Sequence, residues 1–233
     1  MGFILNDVII LAKNAEHLKK RNSLFTFGNP TSHVNYKDLK FVLNKRNLKK
    51  FNINENNLNN IFLDKVRKSH GKELVSFEFF SKLLNFKNFY SLDIDPNENP
   101  TFCLDITNEN LDEKFISKAD MIYDSGSLGY TNNPVAALNF LVKLLKNDGI
   151  IVHQSSHNGF IKTGYFQFNS SFFFDYYKEN NLSILSSSFV FFSTWVKKIL
   201  KGKWKIDIYE KPKKHRLISE KNSIYFVVKK NNS

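Results

Sequence analysis

Met121-Ile122-Tyr123-Asp124-Ser125-Gly126-Ser127 is an apolar run that stops abruptly on an acid and then meets a serine-glycine turn. Short, near-continuous apolar runs mark strands buried on both faces, as in a parallel sheet covered by helices. The residues C-terminal to this run agree with that reading. Asn133-Pro134 offers a helix N-cap and a first-turn proline, and Ala137, Leu138, Leu141 and Leu145 make one helical stripe. Asp148-Gly149 reads as the stop of that helix and Ile150-Ile151-Val152-His153 as the next strand. Strand, helix and strand in this order predict a right-handed α/β crossover.

Two more acid-terminated runs precede it, Phe89-Tyr90-Ser91-Leu92-Asp93 and Thr101-Phe102-Cys103-Leu104-Asp105. Earlier still, Leu24-Phe25-Thr26-Phe27 is β-prone and is closed by Gly28-Asn29-Pro30, strong turn punctuation that makes it the first strand. Helical periodicity at Leu39, Val42 and Leu43, at Leu58, Ile61, Phe62 and Val66, and at Val75, Phe79, Leu83 and Phe86 puts two or three helices between the first strand and the second. At the N-terminus, Val8, Leu11, Ala12 and Ala15 share one face of a packing helix over 4–20. Downstream, 171–177 reads as a helix, 182–192 as a strand with a serine-rich kink, and 224–228 as a closing strand. The pattern predicts an α/β protein with a mostly parallel central sheet and helices on both faces. One domain spans 1–233, with an N-terminal helix within 1–20 and a basic insertion or small lid at 195–221.

The 34 Lys and Arg against 22 Asp and Glu give a formal charge of +12, which can attract nucleic acid, anionic lipid or a phosphorylated substrate. A joint richness in Lys, Asn, Ile and Phe also follows from an AT-rich genome with no partner involved. Cys103 is the only cysteine, which excludes an internal disulfide and a cysteine-based zinc site and favours a reducing, cytoplasmic setting. The apolar start is interrupted by Asn6 and Asp7, so no signal peptide is expected, and no window approaches the roughly 20 apolar residues of a membrane span. Trp195 and Trp204 interleaved with lysines leave peripheral membrane contact through 195–216 open.

In an open α/β sheet, acids that end consecutive strands face one crevice near the point where strand order reverses. The succession of Phe27-Gly28, Leu92-Asp93, Asp124-Ser125-Gly126-Ser127-Leu128-Gly129-Tyr130 and Gly164-Tyr165-Phe166-Gln167-Phe168-Asn169 resembles class I, Rossmann-like S-adenosylmethionine-dependent methyltransferases, in a divergent branch with a reduced glycine loop. The resemblance covers about 165 residues, 24–188. It implies S-adenosylmethionine as cofactor, with Gly28 against its methionine part and Asp93, or Asp95 two positions on, accepting from the ribose hydroxyls. It further implies Asp105 near the adenine amino group beside apolar Ile106, and Asp124 and Gly126 beside the transferred methyl. The acceptor implied is a small molecule or a glycan-linked group, methylated on oxygen or nitrogen; Tyr165 and Gln167, in a loop that precedes the helix at 171–177, are its candidate contacts.

Methyl transfer demands alignment of the nucleophile and, for a hydroxyl or amine, removal of its proton. Candidate bases are His157, Asp124 and His153; His157-Asn158-Gly159 follows a strand end that faces the crevice. The sequence also departs from the family pattern. Gly28-Asn29-Pro30-Thr31-Ser32-His33 has one glycine, and Pro30 offers no amide hydrogen. Gly129-Tyr130 replaces a Glu-His pair, and Thr163 stands where the branch has a histidine. Two further readings therefore stay open: a non-catalytic binding or scaffold protein of this fold, and a methyltransferase that modifies RNA or another nucleic acid.

Overall fold

In the computed structural model, which describes residues 2–45, 74–108, 112–192, 208–209, 217 and 219–232, the apolar runs become strands of one sheet. These are β1 (Ser23–Phe27), β2 (Asn88–Asp93), β3 (Phe102–Cys103), β4 (Ala119–Asp124), β5 (Leu145–Asn158), β6 (Leu182–Phe191), β7 (Ile208–Tyr209) and β8 (Asn222–Lys230). Their order is β3-β2-β1-β4-β5-β8-β6-β7. From β3 to β5 every pairing is parallel; β8 enters antiparallel between β5 and β6, and β7 adds antiparallel at the edge. The helices are α1 (Leu5–Ala15), α2 (Tyr36–Lys45), α3 (Phe77–Leu83), α4 (Pro134–Leu144) and α5 (Ser170–Glu179).

Side chains alternate across the sheet, so each strand feeds two cores. Leu24, Met121, Tyr123, Ile150, Val152 and Tyr225 pack with α1 and α3, whereas Phe25, Phe27, Ile122, Ile151, Phe226 and Val228 pack with α4 and α5. Burial of such side chains stabilises by roughly 1.5–3 kcal/mol each, which is what holds both helix layers on the sheet. Polar residues fix where helices begin. Asn133 accepts from the Ala136 amide at 3.0 Å ahead of Pro134, Ser76 accepts from that of Phe79 at 3.1 Å, and Asn169 from that of Ser171 at 3.3 Å.

The boundaries differ from expectation at one crossover. Helix α4 ends at Leu144, and β5 starts at Leu145, before the Asp148-Gly149 turn instead of after it. Buried Leu145 already pairs with Ala119 of β4, and the register then shifts so that Met121 meets Ile150. Asp148, at a left-handed φ of 63°, sits in that irregularity. Its carboxylate meets Lys229 at 2.8 Å and Lys19 at 3.2 Å, and these hydrogen-bonded ammonium groups hold it down to about 2. The serine-rich kink of β6 is a register shift between Ile184 and Ser186.

The N-terminal helix is shorter than 4–20 and carries more than packing residues. Asp7 is completely buried on its inner face; it accepts from the Ile4 amide at 2.6 Å and the Tyr225 hydroxyl at 2.8 Å. Burial raises its carboxyl from 3.8 to about 7. The helical pattern at 58–66 and most of the basic stretch 195–221 lie outside the described residues, although 208–209 of the latter form β7.

Candidate functional site

Strand order reverses between β1 and β4, so the chain leaves these two neighbours toward opposite sides and opens a crevice at their carboxyl ends. A cavity of about 710 Å³ lies there. Its walls are the segments after β1, β2 and β3, the serine turn after β4, and Tyr130 and Tyr165 at the rim.

Gly28 shapes the first wall. Its φ is 77° and its amide donates to the Leu92 carbonyl at 2.7 Å. A Cβ there would run into the Ser127 hydroxyl, which itself donates to the Phe27 carbonyl at 2.9 Å. The two lips of the crevice are thus tied together by Ser127, and only glycine fits beneath the tie.

The acids of the second and third walls serve first as loop formers. Asp93 accepts from the Asn29 amide at 3.0 Å and from that of Asp95 at 3.1 Å, joining the β1 and β2 loops. Asp95 Oδ1 accepts from the Asn97 amide at 2.9 Å and caps the 3-10 turn Pro96–Glu98. Asp105 Oδ1 accepts from the Thr107 amide at 2.8 Å and its hydroxyl at 2.7 Å. Oδ2 of Asp95 and of Asp105 has no partner among the described residues, which leaves acceptor capacity at the wall. Ile94, Leu104 and Ile106 supply apolar surface between them.

Of the residues singled out from sequence, the cavity gathers Gly28, Asp93, Asp95, Asp105, Ile106 and Tyr165. Asp124, Gly126, His153, His157 and Gln167 are not on its wall. Asp124 is fully buried: Oδ1 accepts from the Gly126 amide at 2.9 Å and the Ser127 amide at 2.7 Å, and Oδ2 lies 3.1 Å from Nδ1 of buried His153. The register explains the difference from Asp93. Phe27 pairs with Leu92 on one side and with Asp124 on the other, so Asp124 sits one residue deeper in the sheet than Asp93. It holds the turn from behind while Ser125 and Ser127 face the cavity.

His157 donates from Nδ1 to the Phe168 carbonyl at 2.9 Å and packs edge-on to Phe189, with ring centroids 5.3 Å apart. Gln167 is exposed and accepts from the Phe160 amide at 3.2 Å, bracing its own loop. Ser125, Ser127, Glu98 and Tyr130 are wall residues that sequence reasoning passed over. The signal for Tyr130 was present, since an aromatic stood in place of the expected Glu-His pair, but it counted there only as a loss.

Among the described residues no group of three or more His, Cys, Asp or Glu is placed to hold a metal ion, and no helix is long and apolar enough to cross a membrane. No protein-family model and no curated protein sequence matches the chain. Solved structures do resemble it in fold. A candidate methyltransferase from Bacillus halodurans C-125 aligns with a TM-score of 0.53 at 10% identity, over 99% of this chain and 100% of the other. The 1,6-didemethyltoxoflavin-N1-methyltransferase of Burkholderia thailandensis, solved with 1,6-didemethyltoxoflavin and S-adenosylhomocysteine, aligns with a TM-score of 0.50 at 10% identity, over 98% and 78%. The YcgJ protein of Bacillus subtilis gives 0.50 at 7% identity, over 98% and 99%. With its parallel sheet, its antiparallel β8 inserted beside β6, and the crevice between β1 and β4, the chain has the Rossmann-like α/β fold of class I methyltransferases.

Proposed function

We propose that this protein is an S-adenosylmethionine-dependent methyltransferase that methylates oxygen or nitrogen of a small-molecule or glycan-linked acceptor in the cytoplasm. The observation that carries the reading is the cavity itself, which stands at the switch point of a methyltransferase fold and draws acid-bearing walls from β2 and β3. Its residues fit the cofactor. Asp93 and Asp95 keep lone pairs for ribose hydroxyls, Asp105 for an exocyclic amine, and Ile94, Leu104 and Ile106 offer a base-sized apolar face. When bound, S-adenosylmethionine supplies a methyl group activated by a positively charged sulfur.

In this reading Gly28 lets the β1 backbone come close to the ligand, and Tyr165 faces the acceptor. Asp124 and Gly126 act from behind the wall by fixing the serine turn, and His157 and Gln167 brace the loops around it. An exposed, unbridged Cys103 suits a reducing compartment. The nucleic-acid reading loses support, because the described cavity wall has four carboxylates, Asp93, Asp95, Glu98 and Asp105, and no Lys, Arg or His. The non-catalytic reading keeps one observation: the Asn29 amide is already taken by Asp93 and Pro30 has none to offer.

Calorimetry tests the assignment. S-adenosylmethionine and S-adenosylhomocysteine are expected to bind at micromolar concentration, and Asp93→Ala to weaken both by about tenfold or more, since its loops lose their joint as well as a ligand contact. Absence of binding at millimolar concentration would remove the enzyme reading, and binding without transfer of labelled methyl to any cell extract fraction would favour the non-catalytic one.

A further inference from the structure

We infer that the acceptor carries a positively charged nitrogen, seated between Tyr130 and Tyr165 at the rim of the cavity. The inference rests on the methyltransferase reading and adds the chemical class of its substrate. Three observations meet at one place. The first is a reversal of charge: the chain carries a formal +12, yet the cavity at the switch point is walled by Asp93, Asp95, Glu98 and Asp105 with no described cation among them. Such a wall repels phosphate and carboxylate and concentrates cations.

The second is the rim. Tyr130 is 51% and Tyr165 74% exposed, and neither ring packs on another aromatic ring among the described residues. The backbone that carries them is nonetheless held in place. The Gly129 carbonyl accepts from the Tyr165 amide at 2.7 Å and the Phe166 amide at 3.1 Å, and Gly164, at a φ of 73°, lies so close that a Cβ would stand 2.8 Å from that same carbonyl. Two short segments, one before each tyrosine, are therefore locked together by backbone contacts that only glycine at 164 permits. Exposed aromatic faces on a fixed backbone, lining one cavity with carboxylates, are the elements from which sites for organic cations are built.

The third observation is Ser125, at the end of β4. It is 2% exposed, lines the cavity, and its hydroxyl has no hydrogen-bonding partner among the described residues. That hydroxyl opens on the cavity, where it can accept from a ligand N–H, and it faces the same space as the tyrosines and the acids.

The test uses the full chain and three probes of one shape and different charge: phenethylamine, 2-phenylethanol and phenylacetate. The protein is titrated with S-adenosylhomocysteine, and the saturated protein is then titrated with each probe. Phenethylamine is expected to bind about tenfold or more tightly than the other two, with an advantage that shrinks as salt is added. Tyr165→Ala and Tyr130→Ala are expected to weaken phenethylamine by about fivefold each, whereas Tyr165→Phe keeps its affinity because the ring face and not the hydroxyl is used. Equal affinity for the three probes, a preference for phenylacetate or 2-phenylethanol, or no phenethylamine binding up to about 50 mM on the saturated protein overturns the inference and leaves the methyltransferase reading standing. Failure to bind S-adenosylhomocysteine at all instead overturns that reading, and this inference with it.

Discussion

At the scale of single residues, the site depends on groups that never touch a ligand. Asp124 satisfies two amides of the serine turn and faces His153, with carboxylate and imidazole both out of water. Asp124→Ala leaves those amides and the imidazole without their acceptor, and is expected to destabilise the fold by about 3 kcal/mol in urea unfolding. Asp124→Asn keeps one oxygen for the amides and should lose clearly less. If both variants cost the same, the turn is not what Asp124 holds. Gly28→Ala meets two penalties, the left-handed φ of 77° and the Ser127 hydroxyl. A total of about 1–3 kcal/mol is expected, together with weaker S-adenosylhomocysteine binding. Adding Ser127→Gly removes the collision but not the backbone strain, so it should restore only part of the stability.

Among the elements, α1 is the one whose docking depends on pH. Asp7 enters the core on this helix, and burial raises its carboxyl from 3.8 to about 7. Because the folded value lies above the unfolded one, folding takes up a proton between about pH 4 and pH 7. Stability is therefore undiminished by Asp7 below pH 4, falls as pH rises through this window, and by about pH 7 to 8 has lost up to about 4 kcal/mol. Thermal melts should show Asp7→Asn gaining on the parent protein as pH is raised from 4 to 7 and keeping a constant lead above it. A constant difference across the whole range would mean that burial does not shift the Asp7 carboxyl. Asp148, held down to about 2 by Lys229 and Lys19, behaves oppositely: its contribution is present above about pH 4 and is lost only as pH falls toward 2, below the Asp7 window.

Over the whole molecule, a basic surface and an acidic cavity make separate predictions. A formal charge of +12 should give weak RNA binding that disappears with salt. Because the cavity wall carries no described cation, a single-stranded RNA oligonucleotide is expected to leave S-adenosylhomocysteine affinity unchanged in a competition titration at about 150 mM salt. Loss of that affinity would bring a strand over the crevice and revive the nucleic-acid acceptor. The fold itself was largely legible. Phe25-Thr26-Phe27, Met121-Ile122-Tyr123 and Ile150-Ile151-Val152 each became a strand buried on both faces, and Asn133 and Asn169 capped helices close to where composition placed them. The candidate site was legible only in part: Gly28, Asp93, Asp105 and Tyr165 line the cavity, while Asp124, Gly126, His157 and Gln167 do not.

The sequence alone determined the alternation of strands and helices, the two-faced burial of the sheet and the acids that end its strands, because these arise from local periodicity and turn chemistry. The tertiary structure decided which of those acids meets solvent. Asp93 and Asp124 each close an apolar run before a turn, and no neighbour in sequence separates their roles. Pairing of Phe27 with Leu92 and with Asp124 sets them one residue apart along the sheet, and pairing of Asp124 with His153 gives the deeper acid its buried partner. In a strand a shift of one residue changes both depth and face, and register is fixed by contacts among segments far apart in the chain. That is why Glu98 and Tyr130, which join Asp93, Asp95, Asp105 and Tyr165 at the cavity, emerged only when the chain was folded.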